Sequence, residues 1–306
     1  MKLVKVKKER LKRSDIIFLV TALTIPLLQF AIFYVVVNAN SIIMAFQRVN
    51  DNGQYVWNGL GTFKQAFTLM FRDKTYRVLF GNSFVMYAVT QVAAQVVATF
   101  FAFCIWKKVW GFKFFSSVLF LPSVIASVVF VLIAKECVTW YLPTALKNDK
   151  IVTLFNVEEN GFIAVVLFGA ILGFGSNLVL QLGAMGGVDE SVKEYGRLDG
   201  VNTWQQFWHI VFPYIWPTII SLFVIGLASL FTNQGLVISF FGAAVDQPKV
   251  ETFAAHVYVM VINQYGNAYY QGFPIISAMG IILSIVVVCV SVGGRRLMEK
   301  FGPSED

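Results

Sequence analysis

Few side chains in this sequence could do chemistry. The two histidines, His209 and His256, stand 47 residues apart with no carboxylate or cysteine at ligand spacing, and Cys104, Cys137 and Cys289 form no CxxC or CxxH pair. That distribution predicts neither a metal site nor a disulfide framework, and the three thiols read as small apolar fillers. There is no G-x-x-x-x-G-K-S/T loop, nor any Gly-Lys dipeptide, so ATP is not bound by that route. What remains is a set of amides and hydroxyls at i and i+4: Gln91 with Gln95, Asn177 with Gln181, and Ser229 with Asn233. This spacing puts each pair on one helix face. Within apolar helices such groups either line a passage for a polar solute or hydrogen-bond between helices.

The elements that must hold these groups are membrane helices. Hydrophobic residues make up 57% of the 306 and charged residues 13%, against roughly 25% charged in soluble domains. Stretches of roughly 20 apolar residues, enough to cross a bilayer, fall at about 16–37, 82–105, 114–134, 162–182, 212–231 and 274–292. Lipid offers the backbone no hydrogen bonds, so each span must be a helix. The fold class is therefore all-α, a polytopic membrane protein with six transmembrane helices. The layout is a basic N-terminal arm at 1–15, one membrane domain at 16–292 and a tail at 293–306. The first span follows the basic arm, and its apolar run of 22 residues exceeds the roughly 7–15 of a signal-peptide core, so it is expected to remain as a helix. Segment 232–273 holds two apolar stretches, 236–245 and 253–262. Each is too short to cross, which predicts a re-entrant or surface-lying segment.

Lysine and arginine set the direction. They number 15 in the arm, loops 106–113 and 183–211 and the tail, against 9 in the remaining loops, which places both termini and the 183–211 loop in the cytoplasm. The net charge of +7 thus belongs to the membrane edge rather than to a nucleic-acid partner. No charged residue lies near a span centre, and Lys135 and Glu136, at the end of the third span, could pair near the interface. A proton-coupled transporter would carry intramembrane Asp, Glu or His, and a membrane-embedded enzyme would need such groups clustered. A neutral, hydroxyl-rich solute fits best. Aromatic residues, 16% of the chain, add stacking faces for sugar rings.

The 183–211 loop carries the most specific pattern. It reads as two short helices with a break: Asp189 or Ser191 caps the first, Asp199-Gly200 stops it, and Pro213 marks the start of span five. Trp204, Phe207, Trp208 and Val211 then recur at i, i+3, i+4 and i+7, one apolar face. Residues 200–212 hold no lysine or arginine. An interfacial helix normally displays several, so the face is expected to dock in a protein groove.

Glu194-Tyr195-Gly196, Asp199-Gly200, Phe207, Ile210 and Pro213 resemble the Glu-Ala-Ala loop of permease subunits in binding-protein-dependent ABC importers, with E-A-A-x-x-D-G followed by F-x-x-I-x-x-P. Departures are Tyr195 and Gly196 in place of alanines, Asp189 where proline is frequent, and Val201 for alanine. The basic arm, Leu121-Pro122 early in span three, and Tyr265-Gly266-Asn267-Ala268 extend the resemblance to the maltose-type carbohydrate permeases over roughly residues 15–300. The resemblance implies the type I importer permease fold in a bacterial-type cell membrane. It implies that Glu194 to Pro213 is a coupling loop seated in an ATPase cleft, with Glu194, Asp199, Gly200, Trp204, Phe207, Trp208, Ile210 and Pro213 as its working residues. It implies that Gly173, Ser176, Ser229 and Asn233 lie at the depth of the sugar cavity, with Gln91, Gln95 and Asn177 as further pathway candidates. The partners it implies are a second homologous permease, a cytoplasmic ABC ATPase dimer, an extracytoplasmic solute-binding protein, membrane lipid and a carbohydrate. This chain would bind no cofactor and catalyse nothing, ATP and Mg being used by the ATPase. The alternatives from the residues alone are a permease for another solute class, or a stand-alone secondary transporter or channel.

Overall fold

A computed structural model describes residues 13–146, 160–198, 200–242, 247–263 and 272–303. Helix α1 runs from Arg13 through a π turn, Ala31–Val36, to Ala45. It is followed by α2 (Gly61–Arg72), α3 (Lys74–Trp106), α4 (Phe112–Val124) and α5 (Ser127–Glu136). Then come α6 (Gly161–Gly186), α7 (Glu190–Leu198), α8 (Thr203–Ala228), α9 (Val237–Phe241), α10 (Phe253–Asn263) and α11 (Gly272–Phe301). Among the described residues five helices are long and apolar enough to cross a membrane, and six if α4 and α5 form one span. Their composition leaves a helix as the form in which a lipid-immersed backbone satisfies itself.

The chain divides into two compact units, one of residues 1–66 and 269–281, the other of 67–268 and 282–306. The first contains α1 and an antiparallel hairpin, Gln47–Val49 with Tyr55–Trp57, which the composition did not suggest. Its signal lies in Asn50-Asp51-Asn52-Gly53: Asn50 Oδ1 accepts from Gln54 N at 2.7 Å and Gly53 takes φ +76°, the side-chain-braced turn such residues favour.

In the second unit α6 packs chiefly on α3 and α4. Glycines permit this closeness. A Cβ at Gly173 would meet the Thr90 carbonyl oxygen at 2.9 Å, and one at Gly175 would meet Ser123 Cβ at 2.8 Å, so the bare face of α6 serves helix packing. Two cores result. One gathers Phe103, Ile105, Leu178, Met185, Phe207 and Ile215; the other gathers Met86, Val131, Val165, Leu236, Phe240 and Ala255.

Three expectations change. The third span is not one straight helix over 114–134: α4 and α5 meet at 102°. Ile125 (φ −75°, ψ 136°) and Ala126 (φ −55°, ψ 131°) are extended between them, after Pro122 has removed a donor from the last turn of α4. The helix that carries the fifth span begins before Pro213, since α8 is continuous from Thr203. A π turn, Phe207–Val211, precedes Pro213 in the first turn of the regular α segment. Lys135 does not turn to Glu136; its ammonium donates to the Phe240 carbonyl on α9 at 3.2 Å. In segment 232–273, α9 and α10 are too short to cross, as expected, and 264–271, including Tyr265 to Ala268, lies outside the described residues.

Candidate functional site

The 183–211 loop folds as two helices about a glycine turn. Asp189 Oδ1 accepts from Ser191 N at 3.0 Å and starts α7; beyond Leu198, Gly200 takes φ +69°, a left-handed conformation that suits glycine. Asp199 lies outside the described residues. The second helix opens with a reciprocal cap that the sequence reading missed. Asn202 Oδ1 accepts from Gln205 N at 2.8 Å, and Gln205 Oε1 accepts from Asn202 N at 3.0 Å, so two orphan donors are satisfied together. The signal was the Asn-x-x-Gln spacing.

The expected single apolar face divides in two. Phe207 (7% exposed) and Val211 (0%) enter the chain's own core, where Phe207 meets Phe103 edge-on at 4.9 Å. Trp204 (58%) and Trp208 (46%) stay exposed. Rings at Trp204, Trp208, Phe212 and Trp216 then run in steps of 4.9 to 6.1 Å along α8. Ile210 is half-buried and lies over Gly196, where an added Cβ would meet its Cδ1 at 3.1 Å. An alanine there would require the Ile210 methyl to give way by a few tenths of an ångström. Glu194 is exposed and Pro213 half-buried.

The loop is tied down at both sides. Tyr214 Oη donates to the Gly187 carbonyl at 2.7 Å, Lys107 Nζ donates to Gln206 Oε1, and Trp216 Nε1 donates to the Met298 carbonyl at 3.1 Å. α8 is one helix from Thr203 to Ala228, with the π turn Phe207–Val211 and Pro217 within it. Among its described side chains the loop offers exposed indoles as contact surface and no acid, base or nucleophile constellation.

The pathway candidates separate into two groups. Gln95 is buried and donates to the Ile219 carbonyl at 3.2 Å, while half-buried Gln91 reaches the Leu222 carbonyl at 3.5 Å. Both bonds tie α3 to α8, and the π turn Ala88–Ala93 carries Gln91. Asn177 is buried, Ser176 is exposed, and Gly173 is filled by its approach to Thr90. Gln91, Ser229 and Asn233 do converge, with Ser83, Tyr87 and Thr252, on one recess of about 20 Å³, room for a single water. Ser229 Oγ donates to the Gly226 carbonyl and Asn233 Oδ1 accepts from Gly235 N, each at 2.8 Å. Asn177, Ser176 and Gly173 do not line that recess.

Sequence reasoning also missed a buried pair. Glu251 (0% exposed) and His256 (7%) lie 2.6 Å apart, Oε2 to Nδ1, and Glu251 Oε1 accepts from Gln247 N at 3.1 Å. Separation by five residues is not a familiar ligand spacing, and only the turn from Gln247 into α10 brings the two side chains together. No group of three or more metal-ligating side chains occurs among the described residues.

Similarity to known proteins follows the same geometry. Residues 77–303 match the family described as binding-protein-dependent transport system inner membrane component. The chain is 24% identical over 248 residues to the multiple sugar-binding transport system permease protein MsmF of Streptococcus mutans, covering 79% of this chain and 81% of MsmF. It is 23% identical over 278 residues to the maltodextrin transport system permease protein MalC of Streptococcus pneumoniae, covering 84% of this chain and 62% of MalC. A chain of a bacterial ABC transporter involved in import of the acidic polysaccharide alginate superposes with a TM-score of 0.70 at 17% identity, over 94% of this chain and 96% of that one.

Proposed function

This chain belongs to the binding-protein-dependent transport system inner membrane component family, and from that premise we propose that it is the permease subunit of an ATP-driven importer for an oligosaccharide or related carbohydrate. It is a multi-pass membrane subunit and not an enzyme; the family's members carry solute while hydrolysis takes place on a separate ATPase. The family match over residues 77–303 carries this reading, and the names of MsmF and MalC support a sugar as cargo.

In the proposed mechanism a solute-binding protein delivers sugar to the outer segments 38–81 and 232–273. A second homologous permease completes the passage. An ATPase dimer in the cytoplasm, using ATP and Mg, grips the 183–211 loop, and Trp204 and Trp208 supply the large exposed anchors that dominate binding at protein interfaces. Closure of the ATPase then moves α8, which carries Ser229 just past its end, and the passage alternates its access. This chain holds no cofactor of its own.

The test is a mild-detergent pull-down of the tagged chain from its native membrane with mass spectrometry of the bound proteins. Recovery of an ATPase and a second permease is expected. Recovery of this chain alone, stable and moving solute in liposomes without ATP, would sink the proposal in favour of a stand-alone transporter.

A further inference from the structure

A glutamate is almost never fully buried unless it is paired, and Glu251 meets that condition with His256, against whose ring Tyr76 stands edge-on at 6.2 Å. The pair stiffens the turn from Gln247 into α10, and that turn is in turn fastened to α3. Asn82 Nδ2 lies 3.1 Å, 3.1 Å and 2.9 Å from the carbonyl oxygens of Pro248, Lys249 and Glu251. Ser83 Oγ accepts from Phe253 N at 2.9 Å. Thr252 Oγ1 donates to the Asn233 carbonyl at 3.0 Å, beyond the end of α8, and accepts from Ala255 N at 3.2 Å in the first turn of α10. Ser83 and Thr252 also wall the recess that Gln91, Ser229 and Asn233 share.

The fastening groups are polar, Ser83 and Thr252 buried and Asn82 half-buried. An apolar seam parted in water would expose its whole surface, whereas hydrogen-bonding groups exchange each other for water at a small net cost. Such a contact suits a joint that opens and closes. We propose that Asn82, Ser83 and Thr252 form a releasable latch, with Glu251 and His256 as positioning residues that keep segment 247–256 rigid, and that the latch shuts the outer end of the sugar path. The proposal rests on the permease reading and on the outer placement of segment 232–273.

The test uses the assembled transporter in whole cells, with Cys104, Cys137 and Cys289 replaced by alanine and Ser229→Cys as reporter for a membrane-impermeant maleimide. Thr252→Val, matched in size but without the hydroxyl that bonds the Asn233 carbonyl and caps Ala255 N, and Asn82→Ala, which loses three contacts, are expected to speed labelling by about fivefold or more. Thr252→Ser, which keeps the hydroxyl, is expected to label at the parent rate. Equal rates in Thr252→Val and Thr252→Ser, at parent amounts in the membrane, would overturn the latch, and this matched pair decides the matter if Asn82→Ala fails to accumulate. Recovery of the ATPase from the same cells tests the permease reading separately: labelling that responds in a chain without an ATPase would leave a latch on a different kind of transporter.

Discussion

Trp204 and Phe207 are three residues apart on one stripe, yet they have opposite tasks. Phe207 is part of the core with Phe103 and Leu178, so Phe207→Ala is expected to cost about 3–5 kcal/mol of stability and to lower the amount of chain in the membrane. Trp204 and Trp208 lie against Phe207 but stay exposed on their outer sides. The double change Trp204→Ala and Trp208→Ala is expected to leave insertion and amount unchanged and to remove the ATPase, with about 2 kcal/mol or more lost per anchor; quantifying membrane-embedded chain and co-purified ATPase side by side checks both outcomes, and retained ATPase would take the indoles out of the interface. Periodicity identified this stripe but could not divide it, because a chain's own core and a partner's groove select the same side chains. The π turn at Phe207–Val211 further rotates what a regular helix would align. Similar limits applied to Gln95, where spacing allowed a pathway or an interhelical bond and the 3.2 Å contact with Ile219 favours the bond. The Glu251–His256 pair was illegible for a different reason: nothing in a five-residue separation foretells a turn that buries both.

At the scale of elements the sequence was most legible where one force acts alone. Long apolar runs fixed the positions of α1, α3, α6, α8 and α11 because lipid admits few alternatives. It was least legible where local geometry decides, as at the 102° bend between α4 and α5, for which Pro122 was a visible but insufficient sign, and at the Asn50–Gly53 turn. The glycine break between α7 and α8 was legible, since Asp199-Gly200 is turn chemistry. Gly200 has φ +69° and nothing within 4 Å of an added Cβ, so substitution there acts through backbone conformation alone. Gly200→Ala is expected to cost about 1–2 kcal/mol for the left-handed backbone and to weaken ATPase association modestly. Gly200→Pro, whose ring imposes a φ of about −65°, is expected to realign α7 against α8 and uncouple ATP hydrolysis from uptake, while the spans still insert. Normal coupled uptake by Gly200→Pro would show that the two helices need no defined angle.

For the whole molecule the bend between α4 and α5 decides the topology. If the pair crosses as one span, six spans put the arm, the 183–211 loop and the tail on one side, as the lysine and arginine bias requires. If it re-enters, five spans put Arg295, Arg296 and Lys300 on the side away from the arm, and the loop leaves the face where an ATPase could reach it. The charge distribution and the coupling loop therefore demand the same answer from independent residues, and we expect a crossing. Trp110 (93% exposed) lies before α4, and Thr144, exposed, lies beyond α5. In a chain freed of its native cysteines, Thr144→Cys is expected to react with an impermeant maleimide in intact cells, and Trp110→Cys only after the membrane is opened. Reaction of both from the same side would make α4 and α5 a re-entrant pair, turn the 183–211 loop away from the cytoplasm, and leave Trp204 and Trp208 without the ATPase that their exposure is proposed to serve.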